Sequence, residues 1–371
     1  MMEVKKMKHS DSITSVQFAI IIAGTILGVS MLALPRFVVE KAGNAAPLAS
    51  LVGILITLIG LIGLLYLGRR FPNHTFVGYS KVLIGKVFGT FIMVVFLIAA
   101  LILIGLETRQ FAEVLVGGLL PDTPIHFSIF AMLFLCAIIN FGNVSSFAYI
   151  HLFYFPMIVS PLLSVLLPSF KDIEYYHLLP ITGNEVTLSQ FMSGAVVIMA
   201  AVSNYYILSM VIPYLKNPKK CVSAGIWGFL LSIFFVLLLV IVSLGIFGEI
   251  KIQEMLWSTL ILARMVEVPG EILARIDAIF IISWIFAVFT TLLSYYFIVV
   301  RGVAEILNTT KYRFISFVTL MISFFIALFP KDIYDVYTFL SYFWTGSVMF
   351  YFVYVFFLLA IAKFRRMKGS I

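Results

Sequence analysis

Ten long apolar runs leave this chain few folds to choose from. Crossing a bilayer as a helix takes about 20 apolar residues. The runs fall at approximately 14–35, 46–68, 87–108, 125–141, 147–167, 188–213, 222–247, 273–300, 314–329 and 337–362. Lipid offers no partner to a backbone N–H or C=O, so a spanning segment must be a helix or part of a closed barrel. Barrel strands alternate lumen-facing and lipid-facing residues. These runs are continuous, so helices are predicted. Hydrophobic residues make up 62% of the chain and charged residues 11%, proportions that exclude a soluble globular domain. No connection is long enough for a soluble domain, and residues 1–371 are read as one transmembrane domain. Lys5, Lys6 and Lys8 resemble the start of a signal peptide, but the run behind them is too long and lacks a cleavage site. It is expected to stay as a helix.

The net charge of +8 is distributed as topology rather than as a nucleic-acid footprint. Alternating the connections gathers most of the Lys and Arg on one side, in clusters such as Arg69-Arg70, Lys219-Lys220 and Arg365-Arg366. Only Glu3, Asp11 and Glu305 join them there. The positive-inside rule makes that side cytoplasmic and puts both termini on it. Cys136 and Cys221 have no metal spacing and no mutual pairing, and are read as packing residues.

The first run contains Gly24-Thr25-Ile26-Leu27-Gly28-Val29-Ser30-Met31-Leu32-Ala33-Leu34-Pro35. Two glycines, a serine and a proline weaken a helix at bilayer depth. Such a break is tolerated only inside protein or beside a polar cavity. A competing reading is that Gly24 and Gly28, four apart, simply permit close helix packing. Ten runs divide into five plus five, approximately 14–167 and 188–362. An odd number per half inserts the second half upside down relative to the first, a recurrent transporter plan with breaks in matching helices. The sixth run, partner of the first, carries Ala200-Ala201-Val202-Ser203-Asn204-Tyr205-Tyr206 at its middle. Ser203 and Asn204 compete with the helix ladder, although a continuous helix with a polar patch accounts for the same residues.

The Gly24–Pro35 stretch resembles the unwound first helix of the amino acid–polyamine–organocation (APC) transporter superfamily. Asn217-Pro218-Lys219-Lys220 is similar to that superfamily's turn after helix six. Leu34-Pro35-Arg36, ten helices rather than twelve, and Arg275-Ile276-Asp277-Ala278-Ile279-Phe280 followed by Trp284 resemble one branch. That branch is the spore germinant-receptor B subunits, or endospore germination permeases. Its eighth helix opens with two glutamates, where this chain has Ala274 and Asp277. The resemblance covers nearly the whole chain. It implies the LeuT fold, an all-α 5+5 inverted repeat with helices 1 and 6 discontinuous. It further implies an amino-acid-sized ligand at the midplane, and partner A and C subunits in a spore inner membrane.

At the first break, Gly28, Val29 and Ser30 are expected to offer backbone N–H groups to a carboxylate. Thr25 and Ile26 would offer carbonyls to an ammonium group or a cation. Ala200, Ser203 and Asn204 would complete the site from the second break. Intramembrane charges are functional candidates by default. Arg109 and Glu113 stand four apart and are expected to pair, whereas Glu107 has no local partner. Asp277, Trp284, Thr291 and Tyr295 share one helix face, with Asp277 read as an outer gate or structural residue facing Arg36 or Arg275. Thr290 and Thr291 suit a sodium site between helices one and eight, or bonds to their own helix. His151 offers a titratable group for proton coupling, or a structural one. Tyr337, Tyr342, Phe343 and Trp344 are read as interfacial anchors.

No phosphate loop, metal cluster or nucleophile–base arrangement is present, so the chain is not read as an enzyme. The leading function is a ligand-sensing receptor subunit with a transporter fold, in which a small amino acid biases the bundle between two states. A proton- or sodium-coupled amino acid symporter is the second reading. A passive channel is the third, and would need a charged or carbonyl-lined pore.

Overall fold

The computed structural model describes residues 11–266 and 276–365. Among these residues the regular structure is helical, apart from one isolated bridge between Ile13 and Leu215. The first apolar run forms α1 (Ser15–Ile26), a 3-10 turn (Val29–Leu32) and α2 (Leu34–Ala42). Pro35 therefore does not end a helix. It stands in the first turn of α2, where a missing N–H costs nothing. Then come α3 (Ala46–Arg70), α4 (Phe76–Ile84), α5 (Lys86–Gly118), α6 (Ile125–Ile139) and α7 (Val144–Ser169). The sixth run forms α8 (Leu188–Val202), a 3-10 turn (Ser203–Tyr206) and α9 (Ile207–Val211). The chain continues through α10 (Cys221–Glu254), α11 (Ser258–Met265), α12 (Ile276–Ile306), α13 (Tyr312–Leu328) and α14 (Ile333–Phe364). The short helices α4 and α11 are additions to the sequence reading; neither is long enough to span.

Among the described residues, six helical stretches are long and apolar enough to cross a membrane, or up to seven if α13 and the start of α14, bent by 116°, count as one. The outer surface suits lipid. Phe88, Phe91, Phe127, Phe153, Phe314 and Phe325 are each more than 60% exposed, a density of bare aromatic rings that water does not tolerate on a soluble protein.

Helices α1 and α8 begin alike. Thr14 accepts the Gln17 N–H at 3.2 Å while Gln17 accepts the Thr14 N–H at 2.8 Å. Thr187 and Gln190 repeat the same box at 3.3 and 2.9 Å. Each box satisfies two of the orphan donors at a helix start. A close glycine-to-carbonyl approach is also duplicated. On α10, a methyl at Gly228 would stand 2.2 Å from the Ala19 carbonyl oxygen of α1. On α3, a methyl at Gly53 would stand 2.4 Å from the Ala195 carbonyl oxygen of α8. Only glycine lets these backbones approach so closely.

Tyr337 corrects the reading as an interfacial anchor. It is buried, accepts the Trp257 indole N–H at 3.1 Å and meets Phe37 edge-on, with centroids 4.9 Å apart. Its phenol found a polar partner inside the bundle rather than at a headgroup. Tyr342 is exposed, as an anchor should be. Residue Arg275 and the Trp344 side chain lie outside the described residues.

Candidate functional site: the cavity between two interrupted helices

The end of α1 is set by one turn. Leu27 adopts φ −77° and ψ 66°, and the Gly28 N–H donates to the Ile26 carbonyl at 2.9 Å. This is an inverse γ-turn. It spends the Ile26 carbonyl locally and takes from Gly24 the donor that a continuing helix would supply. Helix α12 supplies replacements. Thr290 Oγ1 donates to the Gly24 carbonyl at 3.0 Å, and Thr291 Oγ1 to the Thr25 carbonyl at 2.9 Å. Asn204 Nδ2 reaches the Thr25 carbonyl as well, at 3.4 Å. The helices come this close because Gly28 has no side chain: a Cβ there would lie 1.8 Å from Thr291 Oγ1.

This seam has a measurable strength. Thr290→Val keeps the shape but removes the donor to the buried Gly24 carbonyl. It is expected to cost about 1–3 kcal/mol, seen as a lower thermal midpoint of the purified protein. An unchanged midpoint would mean that the carbonyl finds another partner.

Beyond the turn, the Val29 and Ser30 N–H groups reach no acceptor among the described residues. Both residues line a cavity of about 40 Å³. Ala200, Ser203 and Asn204 line it from the second break, and Glu107 and Gln110 from α5. The second break is milder than the first. Val202 (φ −103°, ψ 6°) and Ser203 (φ −76°, ψ −2°) tighten the helix into a 3-10 turn without unwinding it. Ser203 Oγ bonds back to the Ala200 carbonyl at 2.8 Å. Asn204 ties the two breaks together through its bond to the Thr25 carbonyl, and its Oδ1 accepts the Tyr295 hydroxyl of α12 at 2.5 Å.

Glu107 and its neighbour Arg109 differ sharply. Arg109 pairs with Glu113 at 2.8 Å and also donates to the carbonyls of Ala327 and Lys331, at 3.3 and 2.8 Å. It fastens α5 to the corner between α13 and α14. Glu107 Oε2 is buried without a hydrogen-bond partner among the described residues. A carboxylate oxygen left unpaired in a protein interior is costly unless something else completes it.

Of the residues singled out in the sequence, Val29, Ser30, Glu107, Ala200, Ser203 and Asn204 converge on this cavity. Thr25, Ile26, Gly28, Thr290 and Thr291 form the seam beside it. His151 joins that seam from α7. Its Nε2 lies 3.2 Å from Ser294 Oγ, which lies 2.6 Å from Thr25 Oγ1, which donates to the Ile21 carbonyl at 2.6 Å. Trp284 sits apart, buried and stacked on Phe111, beside a smaller apolar cavity of about 20 Å³. Asp277 occupies the first turn of α12 and does not line the cavity. Gln110, Tyr206 and Ser294 were not singled out. Gln110 meets Val29, and Ser294 meets Thr25 and His151, all distant in sequence, and no local pattern marks them.

The chain matches the family model described as "Spore germination protein" over residues 12–336. It is 26% identical to "Spore germination protein YndE" of Bacillus subtilis over 330 residues, covering 88% of this chain and 90% of that protein. It is 25% identical to "Spore germination protein B2" of the same organism over 333 residues, with 89% and 90% covered. "Spore germination protein A2" is 24% identical over 344 residues, with 90% and 93% covered. An all-helical bundle with a lipid-compatible surface, matched along most of its length, belongs to the spore germination protein family.

Proposed function

We propose that this chain is the membrane-embedded ligand-sensing subunit of a germinant receptor, and that it binds a small amino acid in the cavity between its two interrupted helices. One observation carries this reading: among the described residues, the cavity is lined by Val29 and Ser30, whose backbone N–H groups reach no acceptor, and by Glu107, whose Oε2 has no hydrogen-bond partner. An amino acid carries the complement of both. Its carboxylate suits Val29 and Ser30, where helical N–H groups point outward. Its ammonium group suits Glu107, since the Thr25 and Ile26 carbonyls are already engaged. The small cavity and the nearby Ala200 favour a short side chain such as that of alanine.

The 5+5 inverted organisation belongs to the same proposal. The capping boxes at Thr14 and Thr187 begin the helices that would be repeat partners. The glycine contacts of α1 with α10 and of α8 with α3 would exchange under the same two-fold axis. Both support ten spans in two inverted halves; the basic clusters at Arg69-Arg70 and Lys219-Lys220 support cytoplasmic termini, and the family match supports a bacterial inner membrane, that of the spore in particular. Partner A and C subunits would read the change of state.

A second reading, a proton-coupled amino acid symporter, draws on the His151–Ser294–Thr25 chain beside the break. Sodium coupling has less support, because the Thr290 and Thr291 hydroxyls already donate to the carbonyls a cation would use.

The test is calorimetric titration of the purified full chain with L-alanine, propionate and ethylamine. L-Alanine is expected to bind, and either one-ended analogue to bind at least tenfold more weakly. Equal affinities for all three would overturn the proposed site. Concentrative uptake of labelled L-alanine into proteoliposomes containing this chain alone would replace sensing with transport.

A further inference from the structure

A long groove runs between α3 and α14 on the outer surface, with a volume of about 730 Å³. Its floor is apolar, formed by Ile59, Ile62, Phe356 and Leu359. Gly63 draws the two helices together there, since a methyl at this position would already touch Val355, Leu359 and Phe356 at 3.2–3.4 Å. One end of the groove is cationic, with Arg69 and Lys363 facing each other from opposite helices. Both are exposed, and neither has an acidic partner among the described residues. Arg70 holds this end closed beneath them by donating to the Ala362 carbonyl at 2.7 Å.

The dimensions identify the occupant. The eleven residues from Ile59 to Arg69 span ten steps, a rise of about 15 Å along a helix. That is half of a hydrocarbon core of about 30 Å, so the groove is one leaflet deep. Its apolar length suits acyl chains, and the two cations at its end suit a phosphate. Basic pockets between helices at the charged side of a membrane protein favour anionic headgroups. We infer that this groove is a site for one anionic glycerophospholipid, of the phosphatidylglycerol type, which staples α3 to α14. The inference rests on the chain being membrane-embedded and not on its binding an amino acid.

The test uses the full chain, purified and measured by native mass spectrometry with phosphatidylglycerol or phosphatidylcholine of matched acyl chains. The wild type is expected to retain one phosphatidylglycerol with at least tenfold preference. Arg69→Ala/Lys363→Ala is expected to abolish the preference without changing the helical content. Leu359→Trp, which fills the groove, is expected to reduce retention of both lipids. Equal retention of the two lipids by the wild type, or an undiminished preference in the double variant, overturns the site. Insertion into nanodiscs of phosphatidylcholine alone checks membrane embedding separately, so the two failures are distinguishable.

Discussion

Glu107→Gln is expected to weaken L-alanine binding by about 30-fold or more, the effect of removing one partner from a desolvated charge pair. The substitution preserves shape and one acceptor, so the cavity stays intact and the loss reports charge. Propionate, which has no ammonium group, should bind the variant no worse than the wild type. That contrast distinguishes a ligand contact from general damage to α5, which would weaken both. Arg109 provides the control. It is one helical turn short of Glu113, is engaged by three groups and belongs to the scaffold. Its loss should lower stability before it alters the ratio of the two affinities. If Glu107→Gln binds L-alanine as tightly as the wild type, the ammonium group is held elsewhere and the orientation proposed for the ligand is wrong.

Much of this arrangement could be read from residue order, for identifiable reasons. A backbone break in lipid has few physical solutions, and Gly24–Pro35 violates helix preference strongly enough to stand out. The Arg109–Glu113 pair follows from helical spacing alone, as does the isolation of Glu107. The fate of Pro35 was harder to read. Proline halts a helix or opens one, and the choice depended on where the γ-turn at Leu27 reset the ladder. The second break lacks glycine and only tightens, as its weaker sequence signal suggested. Tyr337 was misplaced because an aromatic near a helix end has the same pattern whether it meets a headgroup or Trp257. The Thr-x-x-Gln boxes at Thr14 and Thr187 are a helix-start signature that the sequence reading missed. They gained meaning only once both helices were found to break downstream.

Gly28→Ala is expected to be the most damaging single methyl in the seam. The added carbon would sit 1.8 Å from Thr291 Oγ1 and 2.7 Å from its Cβ, so α1 and α12 must separate or the turn at Leu27 must change. Separation takes the Thr291 hydroxyl from the Thr25 carbonyl and strains the neighbouring Thr290–Gly24 bond. Overpacking and two weakened buried hydrogen bonds together cost roughly 3–5 kcal/mol. For a chain of this size that lowers the thermal midpoint by about 4–6 °C. Gly24→Ala sets the scale from the other side of the turn, since its methyl would press on His151 Nδ1 at 3.0 Å and meet Thr290 Oγ1 at an ordinary contact distance of 3.8 Å. Its effect should be clearly smaller. Combining Gly28→Ala with Thr291→Ala removes the two terminal atoms nearest the new methyl and leaves the Cβ contact, so part of the midpoint should return. A Gly28→Ala protein that melts like the wild type would mean that the helices are not in contact there. A double variant no better than the single would shift the cause from the Thr291 side chain to the backbone of the turn itself.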